Sequence, residues 1–143
     1  MDFTTSEKYE LGIINNKINE LKHFIKNNFF DNSSYDMKYW YNYLNNIKNI
    51  IGNFNDTLSF ISCLMAKEYL MERYIITDFD VGIKSQSSPG LDIDILTVEG
   101  KRIIAEIKTT KSINENDFGS KQKESVLNDI KKLLKNSSDY IVV

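Results

Sequence analysis

The sequence predicts an α/β protein in which a mixed β-sheet lies between helices and an N-terminal helical hairpin precedes them. Apolar residues recur at helical spacing through residues 5–52, and alternating apolar strands surround a tight turn at 91–110. The order of elements from Thr57 to Val143 reads α-β-β-β-α-β. We therefore divide the chain into a helical hairpin at 1–55, for packing or dimerisation, and a core at 56–143.

Two amphipathic helices make up the predicted hairpin. Thr4 and Glu7 form a capping box that opens the first helix. Ser33 or Ser34 restarts the helical pattern after a break. The apolar stripes are Leu11, Ile14, Ile18, Leu21 and Ile25 in the first helix and Met37, Trp40, Leu44, Ile47 and Ile51 in the second. These stripes would pack on each other and on the domain, or they would form a dimer interface.

The elements of the predicted core follow in sequence order. Asn55 or Asp56 caps a third helix at about 57–73, and the segment "YIITDFDVGIK" has the texture of a strand. A later helix at about 120–134 is followed by "YIVV", a short buried strand. The apolar face of this later helix would be Val126, Leu127, Ile130, Leu133 and Leu134.

The hairpin "LDIDILTVEGKRIIAEIKTT" has charged residues at every second position. Because alternate side chains in a strand share a face, Asp92 and Asp94 lie on one face of the first strand, and Glu106 and Lys108 share a face of the second. These charged faces coincide only if the loop contains an odd number of residues, and we predict such a loop around Gly100.

Two positions of a three-residue loop remain possible. A loop at Glu99–Lys101 pairs Asp94 with Glu106, whereas a loop at Val98–Gly100 pairs Asp92 with Glu106. Carboxylates brought together in this way repel each other, so a divalent cation or a lysine must neutralise them. Oxygen ligands without cysteine or histidine favour Mg²⁺, with Mn²⁺ as a substitute.

The segments "SPGLDIDIL" and "IIAEIKTT" resemble the PD-(D/E)xK nuclease superfamily, which has a restriction-endonuclease-like fold. The resemblance covers about the last 85 residues. It implies that Asp94 and Glu106 are metal-binding carboxylates with the carbonyl of Ile107 as a third ligand, and that Lys108 orients or activates the attacking water. Asp92 competes with Asp94 for the role of the first acid.

The helix that follows the hairpin in this family has a polar residue near its start that faces the site. Gln122 takes that accessory catalytic position here, with Lys121 or Lys123 as the alternatives. The reaction implied is metal-assisted hydrolysis of phosphodiester bonds that leaves a 5′-phosphate and a 3′-hydroxyl.

The function expected is therefore a restriction-type DNA endonuclease that requires Mg²⁺, cleaves double-stranded DNA and acts as a homodimer. The alternatives are a junction-resolving or repair nuclease, and a non-catalytic nucleic-acid-binding or assembly protein. No apolar run is long enough for a membrane helix, and "MDFTTSEKYELG" does not have the pattern of a signal peptide. Together with the single Cys63, these features predict a cytoplasmic protein without membrane contact.

Overall fold

A computed structural model describes residues 2–28, 36–83, 90–109, 119–135 and 140–142. These residues form four helices and three short strands. The elements are α1 (Thr5–Asn27), α2 (Met37–Ile51), α3 (Phe54–Met71), β1 (Ile93–Leu96), β2 (Arg102–Ala105), α4 (Ser120–Lys135) and β3 (Tyr140–Val142).

Local hydrogen bonds explain where the first three helices begin. The Thr4 side chain accepts a bond from the Glu7 N–H, and the Glu7 carboxylate accepts one from the Thr4 N–H, so the predicted capping box is confirmed. Asp36 caps α2, and the predicted start at Ser33 or Ser34 lies outside the described residues. Asn53 caps α3, which therefore begins before the predicted cap at Asn55 or Asp56.

The sheet has the order β1-β2-β3, with β1 antiparallel and β3 parallel to β2. Ile103 and Ile104 of the central strand are both fully buried although they point to opposite faces. On the face of Ile103, the sheet packs into the main hydrophobic core with α3 and the segment that follows it. This core consists of Phe60, Cys63, Leu64, Leu70, Ile76, Phe79, Val81, Ile93, Ile103 and Ala105.

The predicted α/β fold class, with its restriction-endonuclease-like α-β-β-β-α-β core, is wrong. The helices contain 23, 15, 18 and 16 residues, whereas the strands contain only four, four and three, so the described part of the chain is mostly helical. Residues 74–83 contain no strand. The Val81 N–H instead donates to the Glu7 carboxylate at 3.0 Å, and the Ile75 carbonyl accepts from the Val98 N–H at 2.8 Å. Isolated bonds to a side chain and to a turn therefore replace the ladder that a strand needs.

A buried ion pair joins α1 to α3. Lys67 Nζ donates to both carboxylate oxygens of Glu7, at 2.7 and 2.9 Å, and the exposed fractions are 2% for Lys67 and 0% for Glu7. Burial acts to raise the pKa of Glu7, but the bonds from Lys67 and from the N–H groups of Val81 and Thr4 together hold it below its ordinary value. The Glu7 carboxylate thus links α1 both to α3 and to residues 74–83.

Helices α1 and α2 form the predicted hairpin. The rings of Phe24 and Tyr43 lie 5.1 Å apart, and Lys17 lies near Gly52 where α2 ends, so the two helices run antiparallel. No residue of α2 is buried. The second helix is therefore covered on one side only.

Candidate functional site

The strand pairing decides between the two possible registers of the hairpin. Ile93 lies opposite Ala105, and the Thr97 N–H donates to the Lys101 carbonyl at 2.8 Å. The connecting loop is therefore Val98–Gly100, and Gly100 has the positive φ of 79° that such a turn requires. The prediction of an odd loop is confirmed, and the register is the one that aligns Asp92 with Glu106.

Asp92 and Glu106 meet just beyond the paired ends of β1 and β2. Asp92 Oδ2 accepts a bond from the Ile107 N–H at 2.7 Å. The side chain of Glu106 is only 8% exposed. Burial raises the pKa of Glu106, and the charges of Asp92 and Asp129 add to the increase, while the hydrogen bond and charge of Lys132 oppose it. Glu106 is therefore a carboxylate whose ionised form the fold disfavours.

Asp94 lies apart from this pair. It forms a two-point ion pair with Arg102 on the same sheet face, and both side chains are more than one-third exposed. The bond engages both carboxylate oxygens of Asp94. The geometry thus brings Asp92, rather than the preferred Asp94, next to Glu106.

Helix α4 supplies the remaining charged groups. Lys132 Nζ donates to Glu106 and, at 2.5 Å, to the carbonyl of Gly90. Lys108 Nζ lies 2.6 Å from Asp129 Oδ2. Two ion pairs, Lys132 with Glu106 and Lys108 with Asp129, therefore join α4 to the residues that follow β2, and Asp92 lies beside Glu106. We call Asp92, Glu106, Lys108, Asp129 and Lys132 the charged cluster.

Gln122 lies on the first turn of α4, two helical turns before Asp129. Its Oε1 atom is buried and accepts no hydrogen bond from the described part of the chain. Residues seven apart share a helix face, so Gln122 is on the same side of α4 as Asp129. Lys121 and Lys123 are exposed. Of the three candidates at this helix start, only Gln122 is turned inward.

A cavity of about 720 Å³ is lined in part by Asp92. It lies between residues 77–83 and 90–95, and its lining includes Asp78 and Asp80. Lys67 also lines it, but the charge of this lysine is already paired with Glu7. This cavity is therefore lined mainly by acidic and apolar residues, and its charge does not favour a phosphate.

Asp92 and Glu106 offer carboxylate oxygens, the type of ligand that hard divalent cations prefer. The carboxylates of Asp92 and Glu106 are close enough to raise the pKa of Glu106, and a cation between them would remove that repulsion. Within the described ranges, no group of three acidic, histidine or cysteine side chains is arranged to hold a metal. In this arrangement Lys132 supplies the positive charge beside Glu106.

The sequence interpretation missed Asp129 and Lys132. The inward face of α4 consists of Gln122, Val126, Asp129 and Leu133, at a spacing of four, three and four. Leu127, Ile130 and Leu134, which were predicted to be core, are exposed. The sequence feature that could have identified Asp129 is its helical spacing, together with Gln122, to the apolar residues Val126 and Leu133. It is ambiguous without the packing, because the stripe of three leucine and isoleucine residues is more hydrophobic.

Comparison of the chain with protein-family models, with curated proteins and with solved structures gave no match. None of the helices in the described ranges has both the length and the apolar character to cross a bilayer.

Proposed function

We propose that this protein is a nuclease that hydrolyses phosphodiester bonds of DNA and requires a divalent metal, Mg²⁺ or Mn²⁺. One observation carries the proposal: the hairpin register brings Asp92 beside Glu106 and leaves Lys108 two residues further along the chain, just after β2. A pair of carboxylates with an adjacent lysine provides metal ligands and a proton donor within one small site.

Four residues of the charged cluster, namely Asp92, Glu106, Lys108 and Asp129, have a role in this proposal. Asp92 and Glu106, with the carbonyl of Ile107, would hold the metal, and Asp94 is the competing first acid. The metal, when bound, polarises a phosphate oxygen and stabilises the charge that develops on it. Lys108 orients the attacking water or offsets phosphate charge, and its ion pair with Asp129 fixes the position of its ammonium group. The products would carry a 5′-phosphate and a 3′-hydroxyl.

The substrate in this proposal is double-stranded DNA, and the enzyme is a restriction-type endonuclease that works in the cytoplasm. Cleavage of both strands needs two copies of the charged cluster, so the active form would be a homodimer. Cys63, the single cysteine of the sequence, is a buried thiol, which is compatible with a reducing compartment.

The test is cleavage of supercoiled plasmid with Mg²⁺ or with EDTA. We expect Mg²⁺-dependent nicking or linearisation that falls at least about 100-fold in Glu106→Gln and Lys108→Met, because both remove charge from the reacting centre. Glu99→Gln is the matched control, since Glu99 is an exposed turn residue paired with Lys101. Loss of cleavage in this control, or equal cleavage in EDTA, contradicts the proposal.

Two further variants distinguish the aspartates. If the register places the metal as proposed, Asp92→Asn loses cleavage and Asp94→Asn keeps more of it. The reverse result assigns the first acid to Asp94 and shows that the hairpin geometry is not the guide to the site.

A second candidate function is a non-catalytic nucleic-acid-binding or assembly protein. The ion pairs of Glu106 with Lys132 and of Lys108 with Asp129 favour it, because they balance four charges of the cluster without a metal. In that case Mg²⁺ would leave the melting temperature of the free protein unchanged. DNA binding in EDTA would equal that in Mg²⁺, and no substrate would be cleaved.

A further inference from the structure

The helical hairpin presents an apolar face that nothing in the described part of the chain covers. On α2, Met37, Tyr41 and Leu44 recur at a spacing of four and three, so they form one stripe. On α1, Ile18 and Ile25 lie seven residues apart, which is about two helical turns, and they form a second stripe. The exposed fractions of these five residues are between 45% and 74%.

The stripe on α1 begins inside the core and continues beyond it. Leu11 and Ile14 precede Ile18 on the same helix face, and both pack against the main hydrophobic core. Helix α1 is about 34 Å long at 1.5 Å per residue, so its second half extends past that core. Ile18 and Ile25 therefore repeat the core pattern of α1 where no core remains.

The two stripes lie on the same side of the hairpin. Trp40, Tyr43 and Ile47 of α2 are half-buried, and the ring contact of Tyr43 with Phe24 shows that this side of α2 faces α1. At 100° per residue, the exposed stripe of α2 lies about a quarter turn from the α1 contact. The Ile18 stripe of α1 is offset by a similar angle from the contact made by Phe24. Because the helices are antiparallel, these offsets bring both stripes to one broad face.

We infer that this face, formed by Ile18, Ile25, Met37, Tyr41 and Leu44, binds the same face of a second copy of the chain, so that two hairpins form a four-helix bundle. The inference deepens the proposed function, on whose homodimer it rests, by naming the interface between the two copies; its evidence is the apolar face and not the charged cluster. An isologous interface needs one patch that is complementary to itself, and the five apolar residues meet that condition. The exposed Lys22, between Ile18 and Ile25, and the exposed Lys48, four residues after Leu44, lie beside the stripes and would keep their ammonium groups in solvent.

The area of the face suits a dimer. With about 200 Å² for each large side chain, the five residues expose about 600 Å² per chain. A standard interface buries about 800 Å² per partner, of which the rim is polar. The apolar face would thus supply the centre of such an interface, and neighbouring polar residues of α1 and α2 the remainder. Two antiparallel hairpins also bury apolar stripes that a lone hairpin leaves in water.

The test is the molar mass of the full chain, measured by sedimentation velocity and light scattering from about 1 to 100 µM. We expect a dimer, and we expect Tyr41→Lys and Leu44→Lys to raise its dissociation constant by at least about 30-fold each, the effect of losing a central interface residue. Both positions are exposed in the single chain, so circular dichroism should show unchanged folding. The melting temperature of the wild-type protein should rise with concentration, and that of the variants should not.

The matched control is Leu127→Lys on α4, which places the same charge on a different exposed apolar stripe. This variant should keep the wild-type dissociation constant. A monomeric wild-type protein over the whole range would overturn the inference and leave the face to a different partner. A dimer that survives both hairpin variants, or that dissociates equally in Leu127→Lys, would also overturn it. A monomer would also remove the homodimer from the proposed function, but Mg²⁺-dependent nicking that is lost in Glu106→Gln would still support the nuclease site, so the two proposals can fail separately.

Discussion

The substitution Lys67→Met removes the positive charge from the buried ion pair between α1 and α3. The change keeps a side chain of similar length, so packing around α3 is largely preserved. The carboxylate of Glu7 would retain only its bonds from the N–H groups of Val81 and Thr4. Because Glu7 is fully buried, water cannot replace the lost ammonium group.

The expected loss of stability is large. Removing one partner of a buried ion pair costs about 3–5 kcal/mol, because an uncompensated charge remains in the interior. A domain of ordinary stability has about 5–15 kcal/mol in total. For a chain of this length the loss corresponds to a fall of roughly 10–20 °C in the melting temperature.

The assay is urea denaturation followed by circular dichroism at pH 7. Lys101→Met is the matched control, because Lys101 forms an ion pair of 2.9 Å with Glu99 that is exposed to solvent. Exposed ion pairs contribute little to stability, so the urea concentration at the midpoint of unfolding should be the same for this control as for the wild type. The double variant Glu7→Gln with Lys67→Met should recover most of the loss, since it removes both buried charges.

The reasoning would be refuted if Lys67→Met lost less than about 1 kcal/mol, which is the range of exposed pairs. A double variant as unstable as Lys67→Met would also contradict it. In that case the loss would come from packing around Lys67, including its contact with the ring of Phe79 at 5.7 Å, and not from the unpaired carboxylate.

Three further predictions concern the stability of the fold. Gly82→Ala should destabilise by about 1–3 kcal/mol, because a Cβ there would lie 2.8 Å from the carbonyl carbon of Ser6; Gly12→Ala, with nothing within 4 Å, should instead stabilise α1 by up to about 1 kcal/mol, and equal urea midpoints would contradict this. The pKa of Glu7 is lowered in the folded state, so its ionised carboxylate contributes to the free energy of unfolding above the ordinary pKa of glutamate. This contribution is lost as the pH falls through the lower folded value. Wild-type stability should therefore fall more steeply than that of Glu7→Gln between about pH 5 and pH 3. Burial raises the pKa of Glu106, so ionisation of this carboxyl group lowers the stability of the fold as the pH rises through the raised value. Glu106→Gln should therefore raise the melting temperature at pH 7 in metal-free buffer but not below about pH 4. A gain that is independent of pH would contradict the raised pKa of Glu106.

Local patterns in the sequence predicted the features that depend on near neighbours. The capping box of Thr4 and Glu7 and the odd loop around Gly100 both form as predicted, because spans of only four and five residues determine them. The helix from Ser120 was also predicted to within a residue at its end. The segment 74–83 has the composition of a strand, but composition cannot supply a pairing partner, and the fold-class prediction was wrong for this reason.

The charged cluster shows the same division between local and distant causes. The alternation along the two strands predicted that Glu106 would meet an aspartate across the hairpin, but not which one, because Asp92 and Asp94 share a face and differ only in register. Asp129 and Lys132 could not be assigned, since the docking angle of α4 decides which of its two stripes faces the sheet. The sequence by itself therefore determined the helices, the turn and the charged faces of the hairpin. Only the tertiary structure decided the partners of those charges, because contacts between residues distant in the chain depend on how the elements pack.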